Sequence, residues 1–294
     1  MSMLIKKYKA VILIILCLRL LPANCQQKFN NVVSEYYQDG FLWNPALAGT
    51  EHIRFYGLFS NTWTGFEGSA KLINFSFDMP FSRKMGAGII LSSFSSGVFD
   101  QYTSVLSYAY QITFTEKNSL RLGGGMSFYK AHLDTKQLSG SEAIDPVIAE
   151  FNGEGPKIDG NLGAYLQLNR LSLGVTGYNL SNYFQKSNNR QSDWEIGQIQ
   201  ASYLIPVSEN DFSLKPLLAY QLFYSSNDIF LSAIQLNYQK LFHASLCWES
   251  TGSIIGGLGL NIDENFEINL FYTSKNKYGY KEQYEAGIKY IFNQ

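Results

Sequence analysis

The stretch YTSVLSYAYQITF, Tyr102–Phe114, decides the fold, because its side chains alternate between two faces from end to end. One face carries tyrosines together with Leu106, Ile112 and Phe114, whereas the other carries mainly hydroxyl and amide side chains. Alternation with a period of two predicts a β-strand and argues against an amphipathic helix. A strand of about a dozen residues is longer than most strands of soluble domains, and this length is typical of a tilted strand that crosses a bilayer.

The same alternation recurs along the chain, for example in KLINFSFDM (71–79), NLGAYLQLN (161–169) and YEAGIKYIF (284–292). Turn residues separate the alternating segments. Together these patterns predict an all-β chain of about fourteen antiparallel strands. The predicted strands lie near 51–62, 69–80, 84–96, 99–115, 119–133, 158–169, 171–181, 193–206, 212–224, 228–239, 242–250, 253–262, 265–274 and 281–292.

Such strands must close into a barrel if they face lipid, because each unpaired backbone group in hydrocarbon is costly. Connections on one side are short turns, whereas the other side includes the long segments 134–157 and 181–193. This asymmetry is typical of outer-membrane barrels that keep the short turns and both chain ends in the periplasm. The alternative is a water-soluble sandwich or propeller, but the long strands with Leu, Tyr and Phe on one face argue against it. The predicted fold is a transmembrane outer-membrane β-barrel over residues 50–294.

The N-terminus has the pattern of a secretory signal peptide. Lysines precede the apolar run AVILIILCLRLLPA (10–23), and small residues before Gln26 fit a cleavage site. We therefore expect residues 1–25 to be removed during export. The alternative is acylation of Cys25, although the residues before it do not match the usual pattern of a lipidated cysteine. If residues 1–25 are removed, Cys247 is left without a partner for an internal disulfide.

The chain lacks the residue patterns of an enzyme or a nucleic-acid-binding protein. The net charge of -1 and the pI near 6.3 give no basic surface for nucleic acid. His52, His132 and His243 have no nucleophile elbow or metal-ligand spacing beside them, so we expect them to be interfacial or lumenal polar side chains. The glycines of RLGGGMS (121–127) lie in a predicted strand, where they relieve curvature or crowding. The sequence predicts no catalytic, cofactor-binding or metal site.

Charged side chains on the polar strand faces are expected to point into the lumen and to pair there. The acidic candidates are Glu195, Glu249, Glu267 and Glu285, and the basic candidates are Arg54, Arg121, Lys215 and Lys289. A barrel of this width is either a water-filled channel or a space filled by loops and paired side chains. The sequence leaves both alternatives open.

Two motifs near the N-terminus resemble a known family. The segment YYQDGFLWNPALAG (36–49) resembles the entry motif of the type IX secretion system membrane proteins of the PorP/SprF family, in which an Asn-Pro-Ala-x-Ala-Gly run precedes the first strand. NTWTGFEGSAK (61–71) resembles the family's Trp-x-Gly-Phe-x-Gly run, although Leu47 replaces a common aromatic residue and Ser-Ala-Lys replaces Ala-Pro. The matching residues are Asn44, Pro45, Ala46, Ala48, Gly49, Trp63, Gly65, Phe66 and Gly68.

The resemblance implies an outer-membrane protein of Bacteroidota that belongs to the type IX secretion and gliding apparatus. Such a protein helps to deliver or anchor a large surface adhesin with a C-terminal sorting domain, or tethers periplasmic components of the machine, and it is not an enzyme. The alternative is a diffusion porin or a fatty-acid-type channel. Residues 26–49 are expected to form a short periplasmic segment, either a simple leader into the first strand or a docking or plugging segment at the periplasmic mouth.

The long connection 134–157 contains a cluster of apolar residues in an otherwise polar loop. The cluster consists of Ile144, Val147, Ile148 and Phe151. A merely solvated loop has no need of such residues, so we expect the loop either to fold inward over the lumen or to present a patch to an exported protein. A disordered surface loop is the third alternative.

Overall fold

The chain forms one closed antiparallel sheet. The computed structural model describes residues 36–62, 68–134, 146–184, 195–208, 212–223, 227–239, 241–275 and 282–292. The strands are β1 (Ile53–Thr62), β2 (Lys71–Ser82), β3 (Met85–Ser96), β4 (Phe99–Thr115), β5 (Asn118–Leu133), β6 (Lys157–Leu168), β7 (Leu171–Gly177), β8 (Glu195–Tyr203), β9 (Ile205–Pro206), β10 (Phe212–Phe223), β11 (Ile229–Tyr238), β12 (Phe242–Glu249), β13 (Ile254–Asn261), β14 (Phe266–Thr273) and β15 (Gln283–Phe292). The helical elements are two 3-10 turns, Gly40–Leu42 and Pro45–Leu47, and the helices α1 (Pro146–Gly153) and α2 (Ser181–Phe184).

The sheet closes because its first and last strands pair with each other. β1 and β15 are antiparallel, and their register runs from Ile53↔Phe292 to Thr62↔Gln283. β8 and the two-residue β9 both pair with β10 and are separated only by Leu204, so they are two parts of one wall strand. The barrel therefore has fourteen wall strands, and the predicted β-barrel is confirmed.

The two faces of the wall follow the alternation of the sequence. Apolar side chains such as Phe75 and Leu106 point outward and are 46% and 48% exposed, respectively. Their polar neighbours Ser76 and Ser107 point inward and are buried. Burying the polar face and exposing the apolar face is the reverse of a water-soluble domain, and it matches a barrel whose outer surface contacts lipid.

The connections divide between two rims. At the short-turn rim, where β1 begins and β15 ends, neighbouring strands are joined by turns such as Arg83–Lys84 and Asn169–Arg170. The opposite rim, here called the long-loop rim, carries α1 and α2, although its β3–β4 turn at Gly97 is also tight. Asn169 and Gly97 adopt positive φ angles of 53° and 57°, which such tight turns require.

Some predicted features lie outside the described residues. These are residues 1–35, which include the predicted signal peptide, together with Trp63, Gly65, Phe66 and Ile144. No helix in the described part of the chain is long and apolar enough to cross a membrane.

Candidate functional site in the barrel lumen

Residues 36–49, which precede β1, lie inside the barrel. We call Tyr36–Gly49 the lumenal segment. Most of its side chains are buried, including Phe41, which is 1% exposed, and Asn44, which is also 1% exposed. The described part of the predicted periplasmic segment 26–49 thus occupies the lumen and is in contact with the wall.

Two local hydrogen bonds shape the lumenal segment. The Asp39 carboxylate accepts a hydrogen bond from the Phe41 amide at 3.1 Å and caps the first 3-10 turn. The Asn44 Oδ1 atom accepts a hydrogen bond from the Ala46 amide at 2.9 Å and caps the second. Pro45 fits the first position of that turn, where no amide donor is needed. The Asn-Pro-Ala sequence therefore supplies its own cap for this turn.

The Asn44 side chain also ties the segment to the wall. Its Nδ2 atom donates to the carbonyl oxygens of Ala164 in β6, at 3.1 Å, and of Val175 in β7, at 3.3 Å. The Trp43 carbonyl accepts a hydrogen bond from Thr176 Oγ1 at 3.1 Å. Asn44 thus uses both ends of its amide, one for the turn and one for the β6–β7 wall.

Arg121 of β5 binds the part of the lumenal segment that follows Asn44. Its Nε atom donates to the Ala46 carbonyl and its Nη2 atom to the Ala48 carbonyl, both at 2.7 Å. A third guanidinium nitrogen donates to Gln111 at 2.8 Å. Hydrogen bonds from a charged donor are stronger than neutral ones, and the planar fork of Arg matches two carbonyls of one turn.

An ion pair fixes the end of the segment where it joins β1. Arg54 and Asp78 approach to 2.7 Å, and the Asp78 carboxylate also accepts a hydrogen bond from the Gly49 amide at 2.6 Å. Gly49 has a φ of +58°, and an added Cβ would lie 2.2 Å from a wall carbonyl, so only glycine fits there. The Asp39 carboxylate accepts a hydrogen bond from Ser76, which attaches the start of the segment to β2 as well.

Inward-facing glycines of the wall, including Gly86, Gly123 and Gly163, make room for the segment. An added Cβ would lie 2.5 Å from carbonyl oxygens of the segment at Gly86 and 2.4 Å from one of its backbone nitrogens at Gly123. At Gly163 it would lie 2.0 Å from the Asn44 side chain. The glycines in RLGGGMS were predicted to relieve crowding or curvature, and at Gly123 the crowding comes from the lumenal segment.

Aromatic residues fill the lumen beside the motif. The rings of Tyr36 and Trp43 stack with centroids 4.0 Å apart. The Tyr37 hydroxyl donates to the Lys215 carbonyl at 2.9 Å. Burial raises the pKa of both tyrosines above its ordinary value, because it disfavours the charged phenolate.

A second polar cluster links the segment to the strands near the chain end. His243 Nε2 lies 3.1 Å from one Glu267 oxygen, and Lys289 Nζ lies 2.6 Å from the other. Gln38 of the segment contacts His243 Nδ1 at 3.3 Å. His243 thus lies in the lumen, which is one of the two positions expected for it. Glu267 and Lys289, one acidic and one basic candidate for lumenal pairing, form an ion pair.

Other predicted charge pairs differ in detail. Arg54 pairs with Asp78, which was not among the ion-pair candidates. Arg121 binds carbonyls of the lumenal segment and Gln111. A Glu249 oxygen accepts a hydrogen bond from Thr251 at 2.9 Å. Arg54 and Asp78 stand directly opposite each other on the paired strands β1 and β2, as do Gln111 and Arg121 on β4 and β5. These partners follow from the register of neighbouring strands, which the sequence analysis did not assign.

The other sequence-predicted site residues that the structure describes, Gly68 and three residues of α1, lie at the long-loop rim. Gly68 has a φ of +75°, and its carbonyl accepts a hydrogen bond from the Gly97 amide at 2.9 Å. In α1, Val147 is 69% exposed, whereas Ile148 and Phe151 are half-buried. The structure therefore does not gather all sequence-predicted candidates into one site: Asn44–Gly49 lie in the lumen, and the helix residues lie at the rim.

The lumenal segment is held in place by hydrogen bonds to several strands of the wall. In the described part of the chain, no group of three or more His, Cys, Asp and Glu side chains is placed to hold a metal ion. Many polar groups of the lumen bond with one another or with the lumenal segment. A closed barrel with an apolar outer belt and an interior crossed by its own N-terminal segment defines an outer-membrane β-barrel protein.

Solved structures support this class at the level of the fold. The chain is similar to the CymD monoaromatic hydrocarbon channel, with a TM-score of 0.54, 13% identity, and coverage of 87% of this chain and 93% of that one. It is also similar to a TodX deltaS2S3 mutant monoaromatic hydrocarbon channel, with a TM-score of 0.52, 14% identity, and coverage of 87% and 94%. The Acinetobacter baumannii outer membrane protein Omp33 gives a TM-score of 0.50 at 7% identity, with coverage of 83% and 100%.

The chain belongs to the PorP/SprF family. The family model described as "Type IX secretion system membrane protein PorP/SprF" matches residues 26–288. This match confirms the resemblance seen in the two N-terminal motifs. A search of curated protein sequences gave no significant match.

Proposed function

We propose that this protein is an anchoring component of the type IX secretion apparatus in the outer membrane and does not act as a solute channel or an enzyme. Its role is to hold a large secreted adhesin at the surface or to tether periplasmic components of the machine. Membership of the PorP/SprF family supports a role in type IX secretion. The observation that carries the proposal is the lumenal segment, because a barrel that uses its interior to bind its own chain is poorly suited to free diffusion.

The attachments of the segment support a closed resting state. Asn44 binds the β6–β7 wall, Arg121 binds from β5, and Asp78 binds from β2. These contacts lie on different parts of the barrel wall, so undocking the segment requires several charged or buried hydrogen bonds to break together. A lumen occupied in this way favours a closed resting barrel over one that is open to free diffusion.

The proposal assigns the two rims to different partners. The long-loop rim faces the cell surface, where Val147 on α1 offers an exposed apolar side chain to an exported protein. The short-turn rim faces the periplasm, where components of the machine would dock. In this arrangement residues 1–25 are a cleaved signal peptide and residues 50–294 form the membrane domain.

A paired measurement separates anchoring from transport. The tagged protein is purified from its native membrane in mild detergent, co-purifying proteins are identified by mass spectrometry, and the same preparation is tested for single-channel conductance. We expect recovery of a large exported protein or of periplasmic secretion components, with little conductance. Robust conductance without any such partner would favour the porin or fatty-acid-type channel.

Two helix variants locate the partner site. Val147→Asp places a charge on the exposed face of α1, and Glu150→Gln on the same helix is the matched control. We expect the first to reduce recovery of the exported partner and the second to leave it unchanged, while both fold into a heat-modifiable barrel. Equal recovery from both variants would move the docking site away from α1.

A further inference from the structure

The outer wall contains a groove near the long-loop rim. The groove has a volume of about 390 Å³ and crosses β2, β3, β4 and β5. Small Ser93 and Ser104 lie in its middle, and larger side chains surround them. The two register rows that build it are Ile73↔Ser93↔Tyr102↔Lys130 and Phe75↔Leu91↔Ser104↔Phe128.

The groove lies on the lipid-facing surface. Phe75, Leu91 and Tyr102 beside it are all exposed apolar or aromatic side chains of the outer belt. An empty groove would leave its lining without dispersion contacts, and a flexible acyl chain can follow such a surface. The small side chains in the middle therefore create a seat for one hydrocarbon chain.

Cationic side chains stand at the rim end of this groove. Lys130 lies on β5 in the outer of the two rows, and Lys71 lies on β2 one outward-facing row closer to the rim. Both lysines are exposed. Asp100 and the exposed His132 face each other in the row of Lys71, and Lys157 pairs with Glu154 next to Pro156 of the groove lining.

The separation of the lysines selects among anionic lipids. Three strand spacings separate β2 from β5, and the two lysines are one outward-facing row apart. They therefore stand about 14 Å apart across the strands and about 7 Å apart along them, or roughly 16 Å along the wall. A glycerophospholipid carries one phosphate, whereas lipid A carries a phosphate at each end of a disaccharide. Two separated cations above an acyl-chain groove therefore match lipid A better, provided that the long-loop rim faces the outer leaflet.

We propose that the groove on β2–β5 is a binding site for lipid A, with one acyl chain over Ser93 and Ser104 and the two phosphates near Lys71 and Lys130. The site is separate from the lumenal segment, so it neither requires nor tests the anchoring function. It would fix the height and rotation of the barrel in the outer leaflet.

Native mass spectrometry and a fluorescent-lipid binding assay test this proposal on the full-length protein in detergent. The probes are diphosphorylated lipid A, monophosphoryl lipid A and phosphatidylglycerol. We expect lipid A to bind most tightly, and the double variant Lys71→Gln/Lys130→Gln to lose about thirtyfold in affinity. Lys84→Gln, an exposed lysine at the short-turn rim, is the matched control and should bind like the unmodified protein.

A second variant tests the groove without changing charge. Ser104→Phe fills its middle from the lipid-facing side, where a large apolar residue does not disturb the fold, and it should also weaken lipid A binding. Heat-modifiable mobility verifies folding of each variant. Equal affinity for phosphatidylglycerol and lipid A, or unchanged lipid A binding in either the double lysine variant or Ser104→Phe, would overturn the proposal.

Discussion

Replacing Arg121 with alanine should release the lumenal segment while leaving the barrel folded. The guanidinium donates two 2.7 Å hydrogen bonds to the carbonyls of Ala46 and Ala48, and both of these residues are 0% exposed. A hydrogen bond to a charged group contributes roughly 1.5–3 kcal/mol, so the two together hold the segment by about 3–6 kcal/mol. Water entering the vacated space offsets part of the loss, which leaves about 3 kcal/mol, or on the order of a hundredfold more undocked segment.

Hydrogen exchange measured by mass spectrometry is the direct assay. The amides of Leu47 and Ala48 are bonded inside the segment and the Gly49 amide is bonded to Asp78, so peptides covering 36–49 should exchange faster in Arg121→Ala. Single-channel conductance should rise in the same preparation. Arg121→Lys keeps the charge but loses the fork and should be intermediate.

The control for this experiment is Arg170→Ala, which removes an exposed arginine from the β6–β7 turn. It should leave both exchange and conductance unchanged. A fully protected segment and unchanged conductance in a heat-modifiable Arg121→Ala barrel would show that Arg121 does not hold the lumenal segment in place.

Three further predictions follow from the same structure. Gly123→Val should displace the lumenal segment and raise conductance, because its Cβ would lie 2.4 Å from a backbone nitrogen of the segment. Gly124→Val, whose Cβ would have its nearest contact at 3.6 Å, should leave conductance unchanged. Equal conductance of the two variants would show that Gly123 does not make room for the segment. Leu106→Lys places a charge on the lipid-facing surface and should lower the free energy of unfolding by about 2–4 kcal/mol, measured by urea unfolding from liposomes. The lumen-facing Val105→Lys should lower it by much less. Equal losses for the two variants would show that the faces are wrongly assigned. Glu267→Gln breaks a buried pair with a lysine at 2.6 Å and should cost about 3 kcal/mol in the same assay, and a change near zero would show that the pair is already solvated.

The strands and their two faces were predictable because the underlying pattern is local. Alternation with a period of two places Phe75 and Leu106 on one surface whatever the rest of the chain does. Once many such strands carry an apolar face, the cost of unpaired backbone in lipid forces closure, so strand number and topology followed from the sequence as well. The family was also visible, since its motifs are contiguous.

The interior was decided only by the tertiary structure. Asn44 meets carbonyls of Ala164 and Val175, which are more than a hundred positions away in the chain, and no spacing rule relates them. The lumenal segment has no periodicity that assigns it to water, lipid or the lumen. Its place is fixed by the available volume and by the need to pair buried backbone groups. Gly123 and Gly163 leave room for the segment in the wall. Arg121 donates hydrogen bonds to the carbonyls of the segment, and Asn44 of the segment donates to carbonyls of the wall.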